Sequence, residues 1–386
     1  MPQLLLILAT ALAAAPPMSV PVFAPASSDP AAVVVSPGVE VTDIRGRRVA
    51  LPAGEARIAI DDARYLVALS LLLDDPTTPL VGWPHDGHRI GGDLYDRYEA
   101  RFPRLPTLGR VSSSAEAFSL EQMLAAGPRV AVFSLGRGPS DAQVAQLERA
   151  GVVSVFVDFF IDPLANVDRS LEILGAVVGR DRRAAEIVAF RAERRAAIES
   201  AVGAAGLARP DVFLEPHAGM SEECCNSPGR GNVGVYIEFA GGRNIGADIL
   251  PGAVGRLSLE YVLERDPDVY VGTGGPHLAG TAGLVMGDGY GADTARESLE
   301  RIAARDGIRL LSAVRNGRVH GLSHQLLNSP LDVVALELLA RWLHPEALGH
   351  LDPGATLRQL NTRFLAVPLD GTFWVSSPLP SEHLPR

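Results

Sequence analysis

Apolar residues follow two alternating patterns along most of this chain. Short apolar runs, such as Arg57–Ile60, Pro79–Trp83 and Val152–Val157, predict buried strands. Between the strands, apolar residues recur at helical spacing, as in Ala63–Leu73, and predict helices that pack against a sheet. Repeated alternation of strand and helix predicts a parallel, doubly wound sheet. We therefore expect an α/β fold.

The alternation stops between residues 163 and 204. Helical spacing continues there without a strand pattern and predicts two helices, the second beginning near Asp181. Alternation resumes with a predicted strand at Asp211–Glu215, and Gly317–Gly321 is hairpin-like. The pattern predicts a leader at residues 1–26, an amino lobe at 38–160, a helical spacer at 163–204 and a carboxyl lobe at 208–386.

One stretch of the chain occurs twice. Ser119–Val132 and Ser258–Val271 align without a gap and share serine, glutamate, proline, two leucines and two valines, at an offset of 139 residues (258 − 119). Solenoid repeats have periods of roughly 20–50 residues, so this longer offset indicates two similarly built lobes. In each copy the pattern predicts a helix capped by the serine and then a buried strand.

Each copy carries a glutamate in the first turn of its predicted helix, Glu121 in the first copy and Glu260 in the second. The periodicity turns both carboxylates away from the core. A carboxylate there complements the helix dipole, which is worth about 0.3–1 kcal/mol. Because the two glutamates occupy equivalent positions, the pair would also suit a two-fold partner with basic pockets. Ser119 and Gln122 predict a capping box at the first copy.

Composition narrows the class of protein. The 386 residues are 47% hydrophobic, which is enough to bury two cores. Acidic residues number 45 and basic residues 35, giving a formal net charge of −10 without a basic run. We therefore expect no nucleic-acid partner.

The first residues form an apolar segment that is too short to span a bilayer, followed by small residues and prolines. This order predicts a secretory signal within residues 1–26, with cleavage after Ala15 or Ala26. No later stretch reaches the ~20 apolar residues of a membrane helix, so the mature protein is expected to be soluble.

Candidate binding residues follow the predicted strands, because ligands of open parallel sheets lie beyond the carboxyl ends of the strands. Arginine, histidine and aromatic side chains recur there and favour an anionic, partly aromatic ligand. Each arginine could equally be a solvated loop residue, and Trp83 could be a core residue. The candidates are Trp83, His85, His88, Arg89, Arg110, Arg137, Phe159 and Phe160 in the amino lobe, and His217, Cys224, Cys225, Arg230, His277, Tyr290, His324 and Gln325 in the carboxyl lobe.

Cys224 and Cys225 are the cysteines of this chain, and they are adjacent. The preferred interpretation is a vicinal disulfide that shapes the loop of residues 217–232 and offers a flat contact to ligand. A second is thiolate ligation of a metal or haem, together with His217. A third is a plain surface loop. The sequence leaves open whether the protein itself ligates a metal.

No catalytic motif is present: there is no Gly-x-Ser-x-Gly elbow, phosphate-binding loop or His-Glu-x-x-His. We therefore predict a binding protein and not an enzyme. The alternative from another class is a secreted thiol redox or metal enzyme that uses Cys224 and Cys225.

Several segments, in this order, resemble one protein family, the substrate-binding proteins of bacterial ABC importers for ferric siderophores, haem and cobalamin. The resemblance implies two doubly wound, Rossmann-like lobes joined by a long rigid helix, with ligand between them. It also implies that Glu121 and Glu260 form salt bridges with arginines of the permease. The segments are Ser119–Val132, Gly241–Ile245, Leu257–Val271, Ala313–His320 and Leu339–Pro345.

The same resemblance implies a periplasmic monomer that has no resident cofactor and delivers its ligand to an inner-membrane ABC permease dimer. A ferric siderophore is the first choice of ligand, because the loops are long and polar and suit a bulky hydrophilic chelate. Haem or cobalamin is the alternative within the family. Haem would be favoured by axial candidates such as His217, Tyr290 or His324.

Overall fold

The computed structural model describes residues 33–377, except residues 137, 205 and 222 and the side chain of residue 204. The predicted leader at residues 1–26 and the candidate ligand residue Arg137 lie outside the described residues. Among the described residues, no helix is long and apolar enough to cross a lipid bilayer.

The amino lobe is built on a parallel sheet. Ile58–Ile60 lies at its centre and is buried completely, because helices cover both faces of the sheet. The predicted strand and helix pattern of this lobe is confirmed. Across the sheet the strands lie in the order Gly109–Arg110, Leu80–Trp83, Ile58–Ile60, Val130–Ser134 and Val153–Val157.

The carboxyl lobe repeats this plan, with one antiparallel strand at the edge. Val319–Ser323 is a buried strand inside the sheet, so the hairpin predicted at Gly317–Gly321 is wrong. A side chain at Gly321 would approach Val375 to 2.8 Å, so glycine lets the edge strand pack closely there. The strand order is Arg243–Asn244, Asp211–Glu215, Val269–Gly274, Val319–Ser323 and Trp374–Ser376.

Helices flank both sheets and also connect them. The connection consists of Pro163–Val177 and the 24-residue helix Asp181–Ala204, as the pattern predicted. The other α-helices are Arg64–Leu72, Gly92–Arg101, Leu120–Ala126, Asp141–Arg149, Gly234–Phe239, Leu259–Arg265, Ala292–Ala303, Ser312–Arg315, Asp332–Leu343, Pro345–Leu348 and Pro353–Arg363. The fold is thus two doubly wound α/β lobes joined by a long helix, which confirms the predicted fold class.

A buried ion cluster fastens the connecting helices to the carboxyl lobe. The Arg191 side chain is 1% exposed, and its guanidinium contacts the carboxylates of Asp168 and Asp332. Tyr236 donates its hydroxyl to Asp332 Oδ2 at 2.6 Å. Removing one partner from a buried pair costs about 3–5 kcal/mol, so this cluster holds its elements in one arrangement.

The duplicated stretch forms the same structure twice. Ser119 accepts a hydrogen bond from Gln122 N at 3.3 Å, and Ser258 accepts one from Tyr261 N at 3.2 Å. The predicted capping box is not completed, because the Gln122 side chain instead accepts a hydrogen bond from Ser112 Oγ at 3.2 Å. Glu121 and Glu260 are exposed in the first turns of the two helices, as predicted.

Candidate functional site

A cavity of about 600 Å³ lies between the two lobes, at the carboxyl ends of the sheet strands. The carboxyl lobe contributes three histidines and an asparagine. The amino lobe contributes two arginines, a histidine, aromatic side chains and small polar groups. The lining residues are Arg64, Tyr65, His88, Arg89, Ser114, Ser134, Leu135, Gly136, Val157, Asp158, Phe159, Phe160 and Ile161 on the amino side, and His217, His277, His324 and Asn328 on the carboxyl side.

The amino wall is charged, and its charges are paired. Arg64 donates from Nε and Nη2 to the two carboxylate oxygens of buried Asp62, at 2.9 and 2.7 Å. Arg89 Nη2 lies 3.1 Å from Asp62 Oδ2. Burial alone would raise the pKa of Asp62, but the two arginines outweigh burial and hold that pKa at about 2. A guanidinium has five N–H donors, so Arg64 and Arg89 keep donors for an anionic ligand.

The carboxyl wall is a cluster of three histidines. The rings of His217 and His324 stack with centroids 4.1 Å apart, and His217 Nδ1 lies 2.8 Å from His277 Nε2. His324 Nε2 lies 2.7 Å from Thr273 Oγ1. Each ring follows a different strand of the sheet, so the parallel topology brings the three together.

All three imidazoles of this wall are neutral at neutral pH. Desolvation lowers the pKa of His217, and desolvation together with the neighbouring His217 lowers the pKa of His277 to about 4. The pKa of His324 is lowered well below its ordinary value by desolvation and by the two other histidines. Among the described residues, no group of histidine, cysteine, aspartate and glutamate is arranged to hold a metal ion by itself. The wall therefore offers uncharged nitrogen ligands or hydrogen-bonding groups to a larger molecule.

His217 is held in an unusual backbone conformation. Its φ of 51° lies in the left-handed region, which residues other than glycine seldom adopt. The backbone on both sides is fixed to the next strand: His217 N donates to Thr273 Oγ1 at 3.3 Å, and Ala218 N donates to Thr273 O at 2.8 Å. Such conformations cluster at ligand sites, where the surrounding structure holds them.

A buried carboxyl group lies behind the amino wall. Tyr65 OH lies 2.7 Å from Ser134 Oγ. Ser134 donates from its backbone N and its Oγ to Asp61, at 2.9 and 3.0 Å. Burial raises the pKa of Asp61 to about 7, although the Ser134 N–H opposes the shift. The lining hydroxyls of Tyr65 and Ser134 are therefore connected to a group that titrates near neutral pH.

The two lobes also touch directly near the cavity. Gln325 Nε2 donates to Ile90 O at 2.7 Å. Arg97 Nη1 donates to Pro368 O at 2.7 Å and its Nη2 contacts the carboxylate of Asp288. These contacts cross from the amino lobe to the carboxyl lobe, so the lobes are closed on each other here.

Some predicted binding residues line this cavity. His88, Arg89, His217 and His324 are there, and the candidates Phe159, Phe160 and His277 join them. Arg64, Tyr65 and Ser134 were not predicted. Arg64 and Tyr65 follow the central strand Ile58–Ile60, so the strand-end rule would have included them had it been applied to that strand.

Other predicted residues lie elsewhere. Trp83 is completely buried, donates from Nε1 to Leu105 O at 3.0 Å and stacks on His85. His85 Nε2 lies 2.9 Å from Leu108 O, so the half-buried His85 ring is held against buried Trp83 and outside the cavity. Trp83 is the last residue of the strand Leu80–Trp83, and its side chain is packed inside the lobe rather than turned toward the cavity.

Two more of the predicted binding residues, Arg110 and Arg230, are exposed arginines outside the cavity. Arg110 pairs with Glu116 at 3.4 Å, and Arg230 donates to Ala247 O at 3.1 Å. Neither side chain reaches the cavity, and Tyr290 does not line it either. Local partners therefore hold the two arginine side chains away from the space between the lobes.

Cys224 and Cys225 are joined to each other by a disulfide. This agrees with the preferred interpretation of the pair. However, Cys224 lines a second cavity, beside Glu260, and neither cysteine lines the cavity between the lobes. The flat contact to ligand that we predicted for the disulfide is absent from the cleft cavity.

Comparison with protein families identifies the fold. A model described as periplasmic binding protein matches residues 80–326, which is more than half of the chain. The chain belongs to the periplasmic binding protein family. The resemblance predicted from the sequence is thereby confirmed. Proteins of this family bind small molecules and work with ABC permeases.

Solved structures of the family match the whole architecture. The TroA-like periplasmic binding protein FepB from Veillonella parvula has a TM-score of 0.79 and 24% identity, covering 88% of this chain and 100% of its own. The molybdate-bound protein MolA from Haemophilus influenzae has a TM-score of 0.64 and 16% identity, covering 84% of this chain and 97% of its own. At these identities the likeness shows the fold alone.

One curated relative is similar to this chain over only part of its length. A cobalamin-binding protein of Halobacterium salinarum is 32% identical over 145 residues, covering 37% of this chain and 38% of that protein. The chain therefore aligns with well under half the length of that relative, and the family assignment rests on the match over residues 80–326.

Proposed function

We propose that this protein is the periplasmic solute-binding component of an ABC importer and that it binds a ferric siderophore between its lobes. One observation carries the proposal: a cavity of about 600 Å³ has two guanidinium groups on one wall and three neutral imidazoles on the other. Guanidinium groups bind carboxylates and catecholates through paired donors. Imidazoles suit iron and other transition metals.

The size of the cavity favours a chelate over a bare ion. At about 30 Å³ for each water molecule, a cavity of about 600 Å³ has room for roughly 20 waters. A bare metal ion or a small oxyanion such as the molybdate bound by MolA would fill a small part of that space. Drug-sized ligands occupy pockets of roughly 300–1,000 Å³, and an iron chelate belongs to that class.

Haem or cobalamin is the second candidate. Neutral imidazole is an axial ligand for haem iron, and His217, His277 and His324 line the cavity. Tyr290, which we predicted as a further axial candidate, does not line it. The partial similarity to a cobalamin-binding protein supports a corrinoid as the alternative ligand. A Soret band on addition of haemin would identify the haem case.

A thiol enzyme is disfavoured by the location of the cysteines. Both cysteines are oxidised to one disulfide and lie outside the cavity between the lobes. A binding protein whose Cys224 and Cys225 are replaced by serine should keep its ligand. An enzyme that used the two thiols would lose turnover in the same variant.

Ligand binding can be tested by calorimetric titration of the purified protein with ferric catecholate and hydroxamate chelates, haemin and cyanocobalamin. We expect one chelate to bind saturably with one site per chain. Arg64→Met should weaken that binding. Arg110→Met changes an exposed arginine outside the cavity and should leave the binding unchanged. Equal affinity in both variants, or binding of none of the chelates, would contradict the proposal.

We propose that Glu121 and Glu260 contact the permease. Their exposure at equivalent positions of the two lobes supports this role. Exposed ion pairs are individually weak, about 0–1 kcal/mol, so the pair would orient the docked protein more than tighten its binding. Changing both to lysine should reduce stimulation of the importer ATPase, and Glu193→Lys, at an exposed position of the connecting helix, is the matched control.

A further inference from the structure

The cysteine pair lies next to the second of the two proposed docking glutamates. We infer that the Cys224–Cys225 disulfide supports the carboxyl-lobe docking helix, Leu259–Arg265, and makes this half of the docking surface sensitive to thiol reductants. The inference rests on the docking role proposed for Glu260. It assigns the disulfide to contact with the permease and not to the ligand.

Backbone hydrogen bonds connect the disulfide to the start of the helix. Arg256 donates from Nε and Nη2 to Cys224 O, at 3.0 and 2.9 Å. Leu257 N donates to Cys225 O at 2.9 Å. The residue after Leu257 is Ser258, which caps the helix. The two residues that lead into the helix are therefore held by the carbonyl groups of the two cysteines.

The buried side of the helix rests on the same cysteines. Cys225 is completely buried and belongs to one apolar cluster with Ile245, Leu257 and Val262. Val262 is the buried residue of the seven-residue helix Leu259–Arg265. A helix of this length has little stability of its own, so packing and its capped start hold it in place.

The exposed side shows the same association. Cys224 and Glu260 line one cavity of about 1080 Å³, together with Met220 and Glu223. The Met220 side chain is 54% exposed. The residues that line this cavity and those that line the cavity between the lobes do not overlap. A change at the disulfide therefore alters the surface beside Glu260 directly and leaves the lining of the ligand cavity in place.

The amino-lobe copy of the helix is supported in another way. Ser119 N donates to Ser112 Oγ at 2.8 Å, and Ser112 Oγ donates to Gln122 Oε1 at 3.2 Å. These hydroxyl and amide groups do not react with thiols. Within one chain, the carboxyl-lobe copy of the helix thus has a support that thiols can reduce, and the amino-lobe copy has a support that they cannot.

The reaction itself is ordinary thiol–disulfide exchange. A dithiol supplies two electrons and two protons, the bond between the two cysteine sulfurs breaks, each sulfur takes a proton, and the dithiol closes to its own disulfide. Breaking the bond frees two adjacent residues whose carbonyls hold Arg256 and Leu257. The start of the docking helix then loses a covalently fixed support.

Hydrogen exchange of the full chain, with and without excess dithiothreitol, tests the inference. Reduction should speed exchange in residues 256–265 by roughly tenfold, as expected for the loss of one or two local hydrogen bonds. The matched helix Leu120–Ala126 should not change. The double variant Cys224→Ser, Cys225→Ser should reproduce the effect without reductant and should not respond to it.

Two exchange results would overturn the inference that the disulfide supports the helix. One is unchanged exchange in residues 256–265 after reduction, and the other is an equal increase in both copies of the helix. A second measurement, ATPase stimulation of the importer in lipid nanodiscs, should fall on reduction while chelate affinity stays within twofold. If the helix loosens and stimulation is unchanged, docking is not redox-sensitive. If instead Glu260→Gln has no effect on stimulation, the proposed docking role fails, and the exchange result still decides whether the disulfide supports the helix.

Discussion

The two walls of the cleft cavity come from equivalent ends of two similar sheets, yet their chemistry differs. The amino wall carries paired charges, Arg64 and Arg89 around buried Asp62, with Asp86 beside Arg89. The carboxyl wall carries neutral rings, stacked and hydrogen-bonded. Duplication of the strand and helix frame therefore did not fix the chemistry of the loops. A ligand that satisfies both walls needs an anionic edge and a group that binds imidazole.

The largest expected effect comes from breaking the charge pairing of the amino wall. Asp62→Ala leaves Arg64 without its buried partner and leaves Arg89 with only the more distant Asp86, whose Oδ2 lies 3.7 Å from Arg89 Nε. Loss of one partner from a buried pair costs about 3–5 kcal/mol, so the free energy of unfolding should fall by about that amount. Urea unfolding measures it. A loss below about 1 kcal/mol would mean that solvent already screens this wall.

A second prediction compares how the two walls treat a bound chelate. Arg64→Met should weaken binding by roughly 10- to 100-fold, because hydrogen bonds to charged groups contribute about 1.5–3 kcal/mol. His217 is neutral, so His217→Gln removes no charged interaction. This change should weaken binding only of ligands whose metal has an open coordination site. Calorimetry with one ferric chelate and with the same chelator without its metal measures both. Equal losses for a ligand without a metal would contradict the assigned difference between the walls.

The acid sensitivity of the carboxyl wall is a third test. The pKa of His324 is lowered in the folded state, so the unfolded chain takes up the proton first as the pH falls below about 6.5. Stability should therefore decline with falling pH, by at most about 1.4 kcal/mol per pH unit for this group. His324→Gln should flatten the decline. Unfolding curves of the two proteins between pH 7 and pH 5 give the difference.

The amino wall should show the opposite pH dependence through Asp61. Burial raises the folded pKa of Asp61 to about 7, above its ordinary value of 3.8. The folded state then holds this proton more tightly, and the group costs stability progressively as the pH rises from about 4 to 7. Asp61→Asn should remove that cost, about 1.4 kcal/mol per pH unit. If the free energy of unfolding changed with pH in the same way in Asp61→Asn and in wild type, a group other than Asp61 would be responsible for the pH dependence.

The smallest effect is expected on the outer surface. Arg110 and Glu116 form an exposed pair at 3.4 Å, away from the cavity. Arg110→Ala should change the free energy of unfolding by no more than about 1 kcal/mol and leave chelate affinity unchanged. Arg110→Met, the control for Arg64→Met in the binding assay, should behave in the same way. A large change in chelate affinity would mean that the segment around Arg110 is coupled to the residues that line the cavity.

Periodicity was enough to predict most of the elements, because each strand and helix buries a face that its own sequence records, but it did not identify the buried strand Val319–Ser323. The duplicated stretch and the two exposed glutamates followed from the same signal. The direction of a side chain near the end of a strand was not predictable in this way. Trp83 ends one strand of the amino sheet and Arg64 begins the helix after another, but Trp83 donates to Leu105 O and packs inward, whereas Arg64 faces the cavity beside Asp62.

The disulfide shows the same limit. Adjacency predicted that the two cysteines would pair, since no other thiol competes for them. Its position depends on Arg256 and Leu257, about thirty residues later, which hold the cysteine carbonyls. Contacts between segments so far apart in sequence leave no periodic trace, and so the sequence did not indicate that Cys224 lies beside Glu260 and outside the cavity between the lobes.

The hydrogen bond from Gln325 to Ile90 and the pairing of Arg97 with Asp288 bridge the mouth between the lobes. The cavity can therefore open wider only when these links break. If Glu121 and Glu260 contact the permease as proposed, the permease would hold one exposed carboxylate on each lobe and could draw the two lobes apart.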